Sequence, residues 1–487
     1  MLFGFAVLVL PAGAGAQAPD YRDRQRLEAA VTDLSSPDAR LGDAGEIMAD
    51  LGLTWAKPDD VTPPPRAFER DAGAVIELVD IRLLLTQIAI QTGSQDHVAL
   101  VRAQGDREHD VILLRGGHAS LADIVSLSSG TPARNFVVKT PHGTQLTLPL
   151  AIWSDSGLTL APGDHLILDR PSGSFVANLG WLDVSGGAIS GTDGMNIAEP
   201  GFRPFVMTAG TGWVTAHSGR FQSLGFGDAA AFGGFAIANT GLQATRFASH
   251  LIANAFDDVH SLALIGTTGS VLQGNQISGS SGPAVLLSNA REAVVAANTL
   301  TALTGAQALR VTKGSAGVEI STNLVSGMAR VGLLIDQDST GVVVLGNLVA
   351  GHLTAGIGVE RATCVAVTGN LVAANGGTGV SLGAADAVAV SGNAILFNGG
   401  SGVLVRDQSP DAHVHLSANV LIGNRDGLRG ATTGNLTLDR NNLEGQVPRL
   451  FAGDLAVLTA DWLRHRQGKD VTQVTATPVA PCKNGGA

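Results

Sequence analysis

An asparagine recurs along the second half of this chain at a nearly constant interval, and little else in the sequence constrains the fold as tightly. The segments LQGNQIS, VAANTLT, ISTNLVS, VLGNLVA, VTGNLVA, VSGNAIL, LSANVLI and LDRNNLE share an apolar residue, two small or polar residues and then Asn. The asparagines are Asn275, Asn298, Asn323, Asn347, Asn370, Asn393, Asn419 and Asn442, spaced by 23, 25, 24, 23, 23, 26 and 23 residues, and Asn254 extends the series backward by 21. A period in this range marks a solenoid, in which one repeat is too small to bury an apolar face and neighbours must stack. Each repeat carries a second strand of the type GxxV (GPAVLL, AQALRV, RVGLLI, TAGIGV, GTGVSL, GSGVLV), with a Gly just before it to supply a tight turn. Two or three short strands per turn, parallel and in register, predict an all-β chain: a right-handed parallel β-helix with coils of about 23 residues. Stacked coils then lie about 4.8 Å apart. Asn suits the shared turn because its amide bonds its neighbour and it tolerates the left-handed conformation.

The composition agrees. The 487 residues include 63 glycines and are 45% hydrophobic but only 4% aromatic, so the core is built from Val, Ile, Leu and Ala. Length alone suggests about three domains, but a solenoid grows in one dimension. The formal charge of −11 comes without a basic stripe, which argues against a nucleic-acid partner. The two cysteines, Cys364 and Cys482, are far apart; Cys364 reads as a small buried hydrophobe, and no disulfide framework is expected.

In chain order, residues 1–18 read as a secretory signal: Leu2–Leu10 is too short to span a bilayer, Pro11 and Gly13 break it, and Ala14-Gly15-Ala16 fits a cleavage site. The expected location is periplasmic or secreted, with no membrane span in the mature protein. Residues 19–72 form a charged, Pro-rich segment that reads as peripheral. Residues 73–160 form an α/β cap over the first coil, with a strand at Asp110–Arg115 and a helix over Leu121–Leu127 capped by Ser120 and Asp123. The β-helix runs over 161–447. Residues 448–487 supply a capping helix carrying Leu455, Leu458, Trp462 and Leu463, then a disordered tail.

At LILDRPSGSFVANLGWLDVSGGAISGTDG, followed by FRPFV and TGWV, the sequence resembles the bacterial periplasmic mannuronan C-5-epimerases of alginate biosynthesis. The resemblance spans roughly Arg115 to Asp439 and includes Arg203-Pro204-Phe205. It implies an exported right-handed β-helix that acts on a polyuronate. Epimerisation removes the proton beside a uronate carboxylate and returns one to the other face, so it needs a base, an acid and a cation. The family's Asp-Pro-His-Asp motif falls on Leu286-Leu287-Ser288-Asn289, which puts Ser288 at the histidine position. Lys313 stands where the family has Arg, and Asp336 matches its Asp with Gln337 in place of the Arg that follows. Lysine keeps the charge but lacks the bidentate fork.

Among the histidines, His260 is the best substitute base, because Asp257 and Asp258 precede it; His250 and His352 fall in turns. Tyr21, the only tyrosine, lies outside the solenoid. Asp257, Asp258 and His260 lack metal-ligand spacing, and no metal or cofactor is expected. Three functions compete. In the first, a monomeric β-helix binds an anionic polysaccharide along one face, through Arg203, Arg291, Arg310, Lys313 and Arg361, and modifies or escorts it, in association with polysaccharide export machinery. The second is an active epimerase or lyase built on His260, Lys313 and Asp336. The third is a non-catalytic adhesin. The first is favoured, with degenerate or altered chemistry at Ser288.

Overall fold

The computed structural model describes residues 21–50, 73–92, 97–105, 110–227, 229–241, 245, 247–464 and 472–474. The signal segment 1–18 lies outside them. Two compact units result: residues 60–293, here the N-terminal unit, and residues 294–487 together with 1–59, here the C-terminal unit. In both, short parallel strands stack into three sheets, named A, B and C. No helix among the described residues is long and apolar enough to cross a membrane.

In the C-terminal unit sheet A runs through Gln307–Thr312, Val331–Asp336, Ala355–Glu360, Thr378–Gly383, Ser401–Arg406, Asp426–Ala431 and Arg449–Gly453, each parallel to the next. Residues alternate across a strand, so Leu309, Leu333, Ile357, Val380, Val403 and Leu428 form one inward column and Val311, Ile335, Val359, Leu382 and Val405 another. Sheet B contributes Ile320, Val344, Val367, Val390 and Leu416 to the same core, and sheet C contributes Val325, Val349, Val372 and Ile395. All of these are buried. Each such side chain gives roughly 1.5–3 kcal/mol, which is why β-branched residues fill the repeat.

The asparagines lock the coils in register. The Asn347 backbone N–H and its Nδ2 both donate to Asn370 Oδ1, at 2.8 and 2.9 Å, and Nδ2 also donates to the Ile320 carbonyl at 2.9 Å. The pattern runs from Asn298 through Asn323, Asn347, Asn370, Asn393 and Asn419. It ends on Asn441, not on the expected Asn442. Asn442 instead turns outward, its Oδ1 accepting from the Glu444 N–H. In the N-terminal unit the same contact joins Asn254 to Asn275.

A second ladder, not anticipated, runs beside the first through Asn375, Asn398 and Asn424 and closes on Gln446. Its first rung is His352. The His352 N–H donates to Asn375 Oδ1 at 3.0 Å and Nε2 meets the Val325 carbonyl at 3.3 Å, as an amide would. The ring is fully buried, and desolvation pushes its pKa down to about 4 despite hydrogen bonds to backbone carbonyls.

The segment read as peripheral is packed. Helices α1 (Tyr21–Leu34) and α2 (Leu41–Asp50) bury Leu27, Val31, Leu34 and Ala44 against the outer face of sheet C, on Leu324, Leu348, Leu371, Ala373 and Leu396. Ser35 bonds Ser326, and its carbonyl accepts from the Ala302 N–H. At the other end Leu455 is buried and Trp462 meets Phe451 edge-on, while the rest of helix α6 (Leu458–Arg464) stays outside the core. Part of the tail expected to be disordered, Thr472–Val474, pairs antiparallel with Asn435–Asp439 in sheet B. A further correction concerns Cys364, which is disulfide-bonded; the other cysteine, Cys482, lies outside the described residues.

In the N-terminal unit it is sheet A that is covered. The ambiguous stretch after residue 74 resolves into a strand, Val75–Asp80, antiparallel to Asp110–Arg115, followed by the helix α3 (Ile81–Thr92). Helix α3, helix α4 (His97–Ala103) and Phe202, Phe205, Phe226 and Phe232 bury the outer side of sheet A over Ala151, Ala177, Met207 and Ala209. The expected capping helix, Leu121–Ser129 (α5), carries the Ser120–Asp123 capping box and packs on strands of all three sheets.

Two outcomes test the ladders. Replacing Asn370 by Leu takes the acceptor from the buried Asn347 N–H and removes one of the hydrogen bonds of Asn347 Nδ2, and denaturant unfolding should show a loss of about 2–4 kcal/mol. For His352 the unfolded chain binds the proton more tightly, so this residue's contribution is intact above pH 6.5 and is lost as pH falls toward 4. Replacing His352 by Asn should supply a neutral rung, and the fall in melting temperature between pH 7 and pH 4.5 should shrink.

Candidate functional site

The outer side of sheet A in the C-terminal unit differs from every covered face. Its outward positions form two columns along the solenoid. One runs Arg310, Leu334, Gly358, Ser381, Leu404, Arg429. The other runs Asp336, Glu360, Gly383, Arg406, Ala431. Thr312, the last residue of its own strand, holds the corresponding place one coil before Asp336.

Charged side chains on this face pair across coils. Arg310 Nη2 donates to Asp336 Oδ2 at 2.7 Å. The Asp336 side chain is only 7% exposed and Arg310 27%, so this pair lies below the surface rather than waving in solvent. Arg406 Nη2 reaches over Gly383 to Glu360 Oε1 at 2.6 Å, while its Nη1 donates to Asp407 Oδ2, also at 2.6 Å. Its pKa is raised, first by the hydrogen bond to Asp407 and further by the charge of Glu360, with desolvation opposing. Farther along, Arg429 Nη2 donates to the buried Asp426 at 2.6 Å, and Arg449 approaches the same carboxylate at 3.8 Å. Within the span of the second pair, Gly358 shares the coil of Glu360, and Ser381 and Gly383 lie in the coil between Glu360 and Arg406.

The residue after each of these strands bends left-handed: φ is 54° at Lys313, 49° at Gln337, 49° at Arg361, 46° at Ala384 and 55° at Asp407. This turn holds two of the expected binding residues. Lys313 and Arg361 are exposed, and neither makes an ion pair among the described residues. Asp338 is exposed in the same turn.

In the N-terminal unit Ser288 ends the strand Val285–Ser288, is 6% exposed and offers its carbonyl to the Gly266 N–H. Arg291 is exposed and forms a bridge with Thr268. His260 immediately precedes the strand Ser261–Ile265; its Nδ1 lies 2.8 Å from Ser281 Oγ, and its ring lies over Gly282, where a Cβ would not fit. The neighbouring carboxylates are engaged elsewhere: Asp258 takes Arg203 Nη2 at 2.6 Å, and Asp257 accepts from Ser278 at 3.2 Å. His260 therefore leads into a sheet A strand, whereas Asp336 ends one and Lys313 follows one. Of the residues singled out by sequence, the structure joins Arg310 to Asp336 and Arg203 to Asp258. Glu360, Gly383 and Arg406 were missed. The period alone could have flagged Glu360, 24 residues after Asp336. No group of His, Cys, Asp or Glu among the described residues could hold a metal ion.

Comparison with known proteins gives the following. Residues 250–446 match the family described as periplasmic copper-binding protein (NosD), less than half of the chain. No curated protein matches. Among solved structures, the periplasmic alginate epimerase AlgG aligns with a TM-score of 0.57 at 16% identity, over 81% of this chain and 98% of that one. An engineered variant of it aligns over 82% and 98% with the same score and identity. The A-module of the Azotobacter vinelandii mannuronan C-5 epimerase AlgE6 aligns with a TM-score of 0.33 at 11% identity, over 63% and 88%, and carries no argument. The likeness to AlgG establishes the fold, the right-handed parallel β-helix expected from the repeat.

Proposed function

We propose that this chain is an exported polysaccharide-binding β-helix that engages an acidic polymer along the outer side of sheet A in its C-terminal unit. The observation that carries this reading is the charge arrangement on that face. The carboxylates set into it, Asp336 and Glu360, are already paired with Arg310 and Arg406, while Lys313 and Arg361 stand exposed without an ion pair among the described residues in the adjoining turn, which also carries Asp338 and Asp407. A long polymer lying along the axis meets the same strand position in coil after coil, so weak contacts add without a deep pocket. The polyuronate class, a periplasmic or secreted location and association with export machinery rest on the sequence resemblance, and the similarity to a periplasmic alginate epimerase supports the same reading.

Ser288 at the family's histidine position favours binding or escort over ordinary epimerisation: a serine hydroxyl does not act as a proton shuttle near neutral pH without a base beside it. One observation favours altered chemistry as a second reading. Asp336 and Glu360 are register partners in adjacent coils, and paired carboxylates whose surroundings differ can divide acid and base roles.

Incubating the purified protein with polymannuronate in deuterated water separates these readings. The expected result is retention of the polymer on the protein, salt-sensitive, with no deuterium at C-5 and no unsaturated product. Deuterium at C-5 would establish epimerisation, a new unsaturated chromophore a lyase. Absence of binding by the parent chain and by its Glu360→Gln variant alike would overturn the polysaccharide reading.

A further inference from the structure

The Glu360–Arg406 pair is built differently from the other ion pairs on the face. Its partners are two coils apart, 46 residues in sequence. The coil between them contributes Gly383 to the same column, so the pair closes over bare backbone. The space above Gly383 is taken by the Glu360 carboxylate: a Cβ built on Gly383 would collide with Glu360 Oε2. In the neighbouring column Gly358 and Ser381 lie between Leu334, whose Cδ1 comes close over Gly358, and Leu404, so small residues here are flanked by aliphatic side chains. A carboxylate thus already sits on an arginine above a floor with no side chain of its own.

We propose that this clasp is a uronate subsite held shut by an internal mimic of its ligand. The carboxylate of a bound uronosyl unit replaces that of Glu360 on Arg406, and its sugar ring occupies the shallow stretch over Gly383 and Ser381. The inference rests on the reading of this face as a polysaccharide surface, and it assigns the anion-recognising role to Arg406.

Binding at the clasp is an exchange of one carboxylate for another. Arginine's planar fork suits a carboxylate. Arg406 faces outward, 39% exposed, but its strongest donors are spent on Glu360 and Asp407. Asp407 is 64% exposed and well solvated, so it competes weakly, whereas Glu360 is 22% exposed and already desolvated. Exchanging one carboxylate for another leaves the charge in direct contact with Arg406 unchanged, while Glu360 stays nearby as an added negative charge. Glu360 is then displaced from above Gly383 towards its own coil, where Asp336 is its register partner. Two carboxylates brought near one another repel. The closed clasp therefore lowers affinity for single uronate units and favours a polymer, which gains contacts in neighbouring coils.

Calorimetric titration with polymannuronate, with the neutral glucan laminarin as control, tests this on the full chain. Glu360→Gln removes the competing charge and should tighten polymannuronate binding by roughly 5–10-fold, with laminarin unchanged. Arg406→Gln should weaken polymannuronate binding by at least about tenfold and abolish the effect of Glu360→Gln in the double variant. Melting temperatures show whether each variant is folded. Equal or weaker binding by folded Glu360→Gln, while the parent chain binds, overturns the clasp and leaves the polysaccharide reading standing. Binding by Glu360→Gln where the parent chain shows none supports the clasp. No binding by either overturns both.

Discussion

The stacked asparagine amide is the interaction on which everything else depends. Each Oδ1 accepts two N–H groups from the previous coil, and each Nδ2 donates to a backbone carbonyl and to the next Oδ1, so a fully buried polar group is left with nothing unpaired. An unpaired amide in that position would cost about as much as several buried methylenes repay. The ladder therefore tolerates one register only. That register fixes which side chains meet on the outer face: Arg310 reaches Asp336, and Arg406 reaches Glu360, because the amides hold their coils in step.

The two units use the same three sheets but cover different ones. In the N-terminal unit the outer side of sheet A lies under α3, α4 and a cluster of phenylalanines. In the C-terminal unit it is sheet C that is apolar outside and lies under α1 and α2. Sheet A of the C-terminal unit keeps a partly exposed charged face, with its ion pairs set among glycines, Ser381, Leu334 and Leu404. An open sheet face carrying fixed, neutralised charges suits a hydroxyl-rich polymer better than a protein partner, whose interface would call for an apolar centre.

The fold was legible in the sequence because the asparagine contact is made in every coil and so leaves a period. The second ladder left a weaker trace: it spans fewer coils and is closed by His352 at one end and Gln446 at the other, so residue identity changes while the hydrogen bond persists. Asn442 was taken for Asn441 because the two are adjacent and spacing alone does not separate them. The site was half legible. Counting coils brought Arg310 and Asp336 to notice, but pairing depends on which face of the strand each occupies. Glu360 and Arg406 escaped because they meet two coils apart, over a glycine. The packing of α1 and α2 was hidden for a related reason: a charged, helix-prone segment shows its apolar stripe only when the sheet it covers is known.

The central claim is that polymer lies along sheet A of the C-terminal unit, and a crystal structure with a mannuronate oligomer tests it most directly. The account predicts sugar rings following the solenoid axis over Gly358, Ser381 and Gly383, with a uronate carboxylate on Arg406 and Glu360 turned away from it. An oligomer bound to another face, or one crossing this face with the Glu360–Arg406 pair still closed, would contradict it.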